Sequence, residues 1–334
     1  MIISEKDNDF NAANDASRRS YYTAAMSRSP PVPPGREAVG RRYVISGQSV
    51  VASAVPPGLY LVATPIGNLR DITLRALEVL AAADLIACED TRHSRKLLDR
   101  YDIATPVTPY HDHNATTARP KLVARLAQGA SIALISDAGT PLISDPGYKL
   151  VREAQAIGSR ITVLPGPSAL LAALIVSGLA TDRFLFEGFL PPKQAARSAR
   201  IAALKSVSAT LVLFETGTRL AAALADLAEA LGPRQAAICR ELTKVHEEVR
   251  RGDLSTLARD YAAQTDVRGE IVIVVARAPA DEVSEHDLDA VLRAALSRLS
   301  VKEAVGEVAA LTGSPRRLVY QRALALRMET ENDR

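Results

Sequence analysis

From residue 58 onward, short apolar runs alternate with segments in which apolar residues recur every three or four positions. The first pattern is typical of buried strands and the second of amphipathic helices. Strands are predicted at 59–63, 84–88, 132–135 and 161–164, with a short extended piece at 106–110. Strands that alternate with helices usually pair in parallel and are covered on both faces. The pattern therefore predicts an α/β domain over residues 58–180.

The pattern changes near residue 181, where a strand at 184–189 leads into a second region. Three further apolar strands follow at 210–214, 236–240 and 271–275, and a helix at 218–231 ends at Gly232-Pro233. A polar segment, 243–250, is predicted to be an extended hairpin arm. Residues 181–280 are therefore expected to form a second α/β domain.

Both ends of the chain differ from these two domains. Residues 1–57 contain a proline cluster and no sustained periodicity, which predicts a disordered extension. Residues 281–334 have a helical pattern, and Ser300 with Glu303 forms a capping-box signature. A helix, a glycine-containing turn and a helix carrying Arg316, Arg317 and Arg322 are typical of a helix-turn-helix. A plain three-helix packing module is the alternative.

Composition restricts the class of protein. The chain has 334 residues, 47% of them hydrophobic, so two domains can each bury a core. Tryptophan is absent and the net charge is only +3, which is compatible with RNA binding without requiring it. The two cysteines lie in or beside apolar runs, which indicates core positions in a reducing cytoplasm. No apolar run is long enough to span a membrane.

The loop after the predicted strand at 132–135 is the strongest candidate for a ligand site. It contains Asp137 and Asp145, two glycines and two prolines, and loops at the carboxyl ends of strands bind ligands in α/β sheets. Glycine allows close backbone approach, and proline limits the freedom that is lost on binding. Two ordinary turns are the alternative interpretation. Neither a Walker lysine loop nor a dinucleotide-binding glycine fingerprint is present.

Several long motifs, in register along residues 58–328, resemble those of the bacterial small-subunit rRNA ribose 2′-O-methyltransferases, a family within the tetrapyrrole methylase superfamily. They are Leu59-Tyr-Leu-Val-Ala-Thr-Pro-Ile-Gly-Asn, Glu89-Asp-Thr-Arg-His, His111-Asp-His-Asn, Ser136-Asp-Ala-Gly-Thr-Pro-Leu-Ile-Ser-Asp-Pro-Gly, Leu164-Pro-Gly-Pro-Ser-Ala, Phe214-Glu-Thr and Arg240-Glu-Leu-Thr-Lys. The resemblance implies a two-domain tetrapyrrole-methylase-like α/β fold with a small C-terminal helical, helix-turn-helix-like domain. It also implies a cytoplasmic homodimer that binds S-adenosylmethionine between the domains.

The resemblance further implies a substrate and a set of cofactor contacts. The substrate would be a cytidine ribose in the decoding region of 16S rRNA, presented by the free RNA or by the 30S subunit. Three loops at strand ends would hold the cofactor, and no metal is expected. Their residues are Pro65, Gly67, Asp137, Ala138, Gly139, Thr140, Pro141, Pro167 and Ser168. Here the glycine follows Asp137, whereas the superfamily motif places it before the aspartate.

Methylation of a ribose hydroxyl benefits from a base and from a stabilising cation. The candidate bases are Glu89, Asp90, His111, His113, Asp137 and Asp145, and the candidate cations are Lys244 and Arg92. Each has a structural alternative: Glu89-Asp90 could cap the following helix, and Lys244 could form a surface ion pair with Glu241. His111 and His113 point to opposite faces if they are extended, so only one could act.

Two other functions are compatible with the sequence. A tetrapyrrole C-methyltransferase would share the cofactor loops, but such enzymes normally end near residue 280. A non-catalytic ribosome-binding protein could retain the fold without binding S-adenosylmethionine. The C-terminal helical unit and the Glu89 and His111 motifs favour the rRNA methyltransferase.

Overall fold

The computed structural model describes residues 40–264, 266–278, 285–312 and 314–332. Within these ranges lie two five-stranded sheets, a short N-terminal hairpin and a C-terminal group of three helices. The disorder predicted for residues 1–39 lies outside the described residues.

The N-terminal hairpin is formed by β1 (Arg42–Ile45) and β2 (Gln48–Val51), which pair antiparallel. Tyr43 and Ala52 are buried in the core formed with the first helix of the domain. Arg41 donates to the carbonyl of Ala83 at 2.6 Å. The prediction of disorder is therefore wrong for residues 40–57, because these strands are too short to give a local signal and gain their stability from tertiary packing.

The first sheet has the order β5-β4-β6-β3-β7, and every neighbouring pair is parallel. Its strands are β3 (Gly58–Val62), β4 (Leu85–Cys88), β5 (Val107–Pro109), β6 (Ser131–Ile135) and β7 (Ile161–Leu164). Side chains alternate between two cores, one beneath α1 (Leu74–Ala82) and α2 (Thr91–Arg100) and the other beneath α3 (Ala115–Ala127) and α4 (Tyr148–Ala156). All five strands thus end at the same edge of the sheet.

The second sheet has the order β11-β10-β12-β9-β8, and only β8 and β9 are parallel. Its strands are β8 (Phe184–Phe189), β9 (Thr210–Thr216), β10 (Gln235–Arg240), β11 (Glu248–Asp253) and β12 (Glu270–Val275). One face is covered by α6 (Gln194–Leu204), α7 (Gly217–Leu231) and α8 (Leu254–Ala262). The predicted arm at 243–250 becomes a strand only from Glu248, and residues 241–247 form turns.

The other face of the second sheet packs on α5 (Ala169–Ser177), which directly follows the loop after β7. Ala173 and Leu174 of this helix pack with Val212 and Val272 of the second sheet, and Ile66 of the first domain joins the same core. Helix α5 therefore joins the two domains. Both cysteines are buried, as predicted.

The C-terminal unit consists of α9 (Glu285–Leu296), α10 (Val301–Thr312) and α11 (Arg316–Asn332), which share one core. The capping box is confirmed: the amide of Ser300 donates to Glu303 Oε2 at 3.1 Å, and the amide of Glu303 donates to Ser300 Oγ at 3.4 Å. Arg322 pairs with Asp289 of α9. That arginine therefore holds the helices together and is not a free cation on a solvated face. Among the described helices, none is long and apolar enough to cross a membrane.

Candidate active site

The loops that follow β3, β6 and β7 are hydrogen-bonded to one another. Thr64 and Gly139 exchange two backbone hydrogen bonds of 2.9 Å, and Thr64 Oγ1 donates to the carbonyl of Ser136 at 3.0 Å. Thr140 Oγ1 donates to the carbonyl of Pro167 at 3.2 Å. The three loops that were predicted to bind the cofactor therefore form one continuous surface.

Unusual backbone conformations lie on both sides of the space between the domains. Leu142 (φ 73°) and Ser144 (φ 61°) lie in the loop after β6, and Glu241 (φ 52°) and Thr243 (φ 67°) lie in the turns after β10. Each such residue costs of the order of 1–3 kcal/mol and persists only where its surroundings fix it. Strain of this kind, concentrated on two facing loops, is typical of a binding site.

Between the domains lies a cavity of about 290 Å³. The first domain contributes Ile66, Ser168 and the loop from Asp137 to Asp145, and the second contributes Phe189, Phe214, Glu215, Leu242 and Ile271. A second cavity, of about 310 Å³, shares Ile66, Asp137, Ala138 and Glu270 with the first. Its other lining residues include Thr64, Pro65, Gly67, His93, Lys96 and Lys244. The two cavities thus meet at a common wall.

Three carboxyl groups interact at the first-domain side of this space. Burial raises the pKa of Asp145 to about 7, with further contributions from the negative charges of Glu89 and Asp137. The pKa of Glu89 is also raised, first by burial and then by Asp137 and Asp112. Like charges this close disfavour simultaneous ionisation. This carboxyl cluster of Glu89, Asp137 and Asp145 can therefore hold a proton near neutral pH and exchange it with a ligand.

Asp90 has a structural role beside this carboxyl cluster. Its side chain caps α2 by accepting from the amides of Arg92 at 2.7 Å and His93 at 3.4 Å, and these bonds lower its pKa. The amide of Asp90 donates to Asp137 Oδ1 at 3.1 Å. Asp90 therefore positions Asp137. Arg92 lines neither cavity: its side chain is 95% exposed, with Nε 3.9 Å from Asp90 Oδ1.

His111 and His113 lie in a turn after β5, with ring centroids 6.0 Å apart. Opposite faces were expected only for an extended segment, and residues 111–113 are not extended. His111 Nδ1 is buried without a hydrogen-bond partner among the described residues. The charge of His111 acts to lower the pKa of Glu89, so this ring lies within electrostatic reach of the carboxyl cluster.

Lys244 comes from the second domain and lines the second cavity. Its Nζ lies 2.8 Å from Glu241 Oε1 and 3.1 Å from Glu270 Oε2. Burial disfavours its charge, but these two carboxylates outweigh burial and raise its pKa. Lys244 therefore remains a cation and is unsuited to act as a base.

Gly67 permits the close approach of the two domains at this point. A Cβ on Gly67 would clash with the Lys244 side chain and lie 2.8 Å from Thr243 Oγ1. The amide of Asn68 donates to the same Thr243 hydroxyl at 3.1 Å. Pro65 and Gly67 thus lie at the second cavity, whereas Asp137 and Ala138 line both cavities and Gly139, Thr140 and Ser168 line the first.

The aromatic wall contributed by the second domain was not among the sequence candidates. Phe214 packs edge-on against Phe186 and Phe189, at centroid distances of 4.8 and 5.7 Å. Glu215 is only 2% exposed, and its Oε1 lies 3.2 Å from Arg219 Nε of α7, so its side chain faces that helix and not the cavity. The available signal was the motif Phe214-Glu-Thr at the end of an apolar strand, but an antiparallel sheet does not reveal which strand ends face a cleft.

The family model Tetrapyrrole (Corrin/Porphyrin) Methylases matches residues 58–258. The chain belongs to the tetrapyrrole methylase family. A second family model, the RsmI C-terminal HTH domain, matches residues 282–327. The resemblance inferred from the motifs is thereby confirmed, as is the helix-turn-helix interpretation of the C-terminal unit.

Relatives within the family match nearly their whole length. A protein from Mesorhizobium japonicum named Ribosomal RNA small subunit methyltransferase I is 54% identical over 285 residues, covering 85% of this chain and 97% of the relative. A protein of the same name from Pseudomonas aeruginosa is 46% identical over 273 residues, covering 80% of this chain and 96% of the relative. Both the methylase domains and most of the C-terminal unit are therefore shared with these proteins.

Solved structures support the fold. A conserved hypothetical protein from Aeropyrum pernix K1 has a TM-score of 0.53 at 18% identity, covering 80% of this chain and 96% of that one. A diphthine synthase has a TM-score of 0.52 at 18% identity, covering 65% and 89%. The predicted two-domain methylase fold is confirmed.

Proposed function

We propose that this protein transfers a methyl group from S-adenosylmethionine to the 2′-hydroxyl of a cytidine ribose in the decoding region of 16S rRNA. The observation that carries the proposal is the likeness to ribosomal RNA small subunit methyltransferases over 80–85% of the chain. A substrate of this kind places the protein in the cytoplasm, where small ribosomal subunits are assembled.

The first cavity fits S-adenosylmethionine by the chemistry of its lining. Phe189, Phe214 and Leu242 offer an apolar surface for an adenine ring. The carboxyl group of Asp137 suits ribose hydroxyls and the positive charges of the ligand. The cofactor supplies an electrophilic methyl group on a sulfonium. Among the described residues, no group of three or more side chains could hold a metal.

The cluster of three carboxyl groups, Glu89, Asp137 and Asp145, is proposed to accept the proton of the ribose hydroxyl. A base is most effective when its pKa is near the working pH, and Asp145, with a pKa of about 7, meets this condition. Asp90 is the weaker candidate because its lowered pKa reflects its role as a helix cap. His111 is the second choice, since its buried Nδ1 lacks a partner.

Lys244 and the packed loops are proposed to position the reactants. Two carboxylates fix the Lys244 ammonium in the second cavity, where it can stabilise negative charge on the acceptor oxygen. Holding two reactants in attack geometry accounts for a large part of such rate enhancements. The strained, cross-bonded loops on both sides of the cleft provide that rigidity.

The proposal is tested with tritiated S-adenosylmethionine and 30S subunits from cells that lack this modification. Transfer of label, with a single primer-extension stop at a decoding-region cytidine at low nucleotide concentration, is the expected result. Cofactor binding without transfer to 30S subunits or free rRNA would contradict it and favour a tetrapyrrole acceptor, to be tested with porphyrinoids. Absence of cofactor binding by calorimetry would favour the non-catalytic alternative.

The resemblance also implies a homodimer, and α5 provides an apolar face that a second copy could cover. Leu171 and Ile175, one helical turn apart, are 48% and 73% exposed. We propose that this face lies at the subunit interface. Ile175→Glu is expected to convert a dimer to a monomer in analytical ultracentrifugation. An unchanged sedimentation coefficient would place the interface elsewhere.

A further inference from the structure

Helix α2 carries a row of basic residues that the catalytic proposal leaves unused. Arg92, Lys96 and Arg100 are spaced four residues apart, so they lie on one face of the helix, about 6 Å from one to the next along its axis. All three are exposed, whereas Leu97 and Leu98 face the core. Neither Lys96 nor Arg100 has a carboxylate partner within the described ranges.

The row leads to the second cavity. His93 and Lys96 line this cavity, and Lys244 lines it from the second domain. The wall that it shares with the first cavity contains Asp137, a member of the carboxyl cluster. A chain bound along α2 would therefore reach the proposed proton acceptor by entering the second cavity.

The lining of the second cavity indicates which part of an RNA it accommodates. Proteins that recognise unstacked bases usually hold them on Phe, Tyr, Trp or His rings, and of these the lining contains His93 but no Phe, Tyr or Trp. A platform of several rings is therefore missing from this cavity. Small residues of the loop after β3 line it, together with the cations Lys96 and Lys244 and the carboxylates Asp137 and Glu270. Carboxylates accept from ribose hydroxyls and Lys96 attracts a phosphate, so this lining fits a sugar-phosphate unit better than a base.

We infer that α2 is the docking track for the acceptor RNA strand. Arg92, Lys96 and Arg100 bind consecutive phosphates of single-stranded RNA, with Lys96 at the second cavity, which takes the ribose-phosphate of the target nucleotide. This inference rests on the proposed function and adds the surface and the part of the RNA that is recognised. It predicts recognition through the backbone, with the base of the target nucleotide outside the second cavity.

The test compares Lys96→Glu, Arg100→Glu and the double variant with a matched control, Lys121→Glu. Lys121 is exposed on α3 and lines neither cavity. Filter binding of unmodified 30S subunits and of a single-stranded decoding-region oligonucleotide is measured over a range of salt concentrations. Calorimetry with S-adenosylmethionine and thermal melts establish that each variant is folded and binds the cofactor.

The double variant is expected to bind RNA at least tenfold more weakly than the wild type at about 0.1 M salt. Its salt dependence should decrease by about 1.4 in slope, since each phosphate contact to a single strand contributes about 0.7. Cofactor affinity should be unchanged, and Lys121→Glu should behave as the wild type does.

Wild-type RNA affinity and salt slope in the double variant would overturn the track, and the proposed function would stand if that variant still methylated 30S subunits. An equal loss in Lys121→Glu would also overturn it, because the attraction would then be a diffuse effect of net charge. If the wild type neither binds RNA nor transfers label to it, the proposed function fails first and the track fails with it.

Discussion

The two sides of the cleft are built differently. The first domain presents loops from the ends of parallel strands, and these carry interacting carboxyl groups with raised pKa values. The second domain presents an aromatic wall and a lysine held by two carboxylates. Both sides line the first cavity, but their chemistry divides: proton transfer is assigned to the first domain, and the aromatic contact with the cofactor and charge stabilisation are assigned to the second. Four substitutions or conditions can break or sharpen this division.

The largest effect is expected from Asp145→Asn. Loss of a general base typically slows turnover by 10²–10⁴-fold, so single-turnover methylation of 30S subunits should slow by about 100-fold or more. In the wild type, the rate should fall as the pH is lowered through about 7, because Asp145 must lose its proton to accept another. The variant should lack this limb of the pH profile.

A control for this substitution is Asp112→Asn, which removes a nearby exposed carboxyl group that contributes less directly. Its turnover should stay within about threefold of the wild type. If Asp145→Asn kept both wild-type turnover and the wild-type pH profile, the base would have to be sought at Glu89 or His111.

A smaller loss of turnover is expected from Lys244→Ala. Removing one preorganised charge costs roughly 10²-fold in favourable cases, and less where the cation is shared with two carboxylates, so about 10–100-fold is expected. Cofactor affinity should change little. Calorimetry and steady-state kinetics together separate these effects, and Lys244→Arg should recover part of the turnover.

Equal losses of cofactor affinity and turnover in Lys244→Ala would indicate collapse of the turns at 241–247. The charge-stabilising role of the second domain would then be unsupported.

The aromatic wall is expected to affect binding alone. Phe214→Leu removes the ring proposed to contact the adenine, and one such aromatic contact is worth about 0.5–1.5 kcal/mol. The dissociation constant for S-adenosylmethionine should therefore rise by about two- to tenfold, while turnover at saturating cofactor stays close to that of the wild type. A fall in saturated turnover with unchanged affinity would reverse the assignment of the two sides.

The smallest effect concerns stability. The folded-state pKa of Asp145 is raised, so the stabilising, protonated form is fully present at low pH and is lost as the pH rises through about 7. Asp145→Asn should therefore raise the melting temperature at pH 8 by roughly 2–4 °C, the change that 1 kcal/mol gives in a domain of this size. At pH 4 the two proteins should melt within a degree of each other, as scanning calorimetry can show. A larger stabilisation at pH 4 than at pH 8 would contradict the cause assigned to the raised pKa.

The sequence was most informative about the first domain. Its strands are continuous apolar runs because parallel strands are buried on both faces, and their parallel pairing places every following loop at one edge. The sequence alone therefore predicts that Asp137 and Gly139 lie at this edge of the sheet, beside the other two loops. The surface that these loops form consists of local turns joined through short hydrogen bonds.

The second domain was less predictable because its contributions depend on tertiary placement. Phe214 lies in β9 like any other strand residue, and its proximity to Asp137 depends on how α5 packs the second sheet against the first domain. The hairpin at residues 40–52 was missed for a similar reason, since Tyr43 is stabilised by a helix more than thirty residues away. The relation of His111 to His113 depended on a turn that strand periodicity does not detect.

Helix α5 has an evolutionary consequence. It begins at Ala169, capped by Ser168 in the loop after β7, and its buried side packs on the second sheet. A single inserted residue would rotate everything beyond it by about 100° around the helix axis and shift it by about 1.5 Å. Insertions between residues 169 and 177 should therefore be strongly selected against, whereas the turn of the hairpin at residues 46–47 and the exposed turn at Gly158 can vary in length. The spacing of the cleft is in this sense encoded in the length of one short helix.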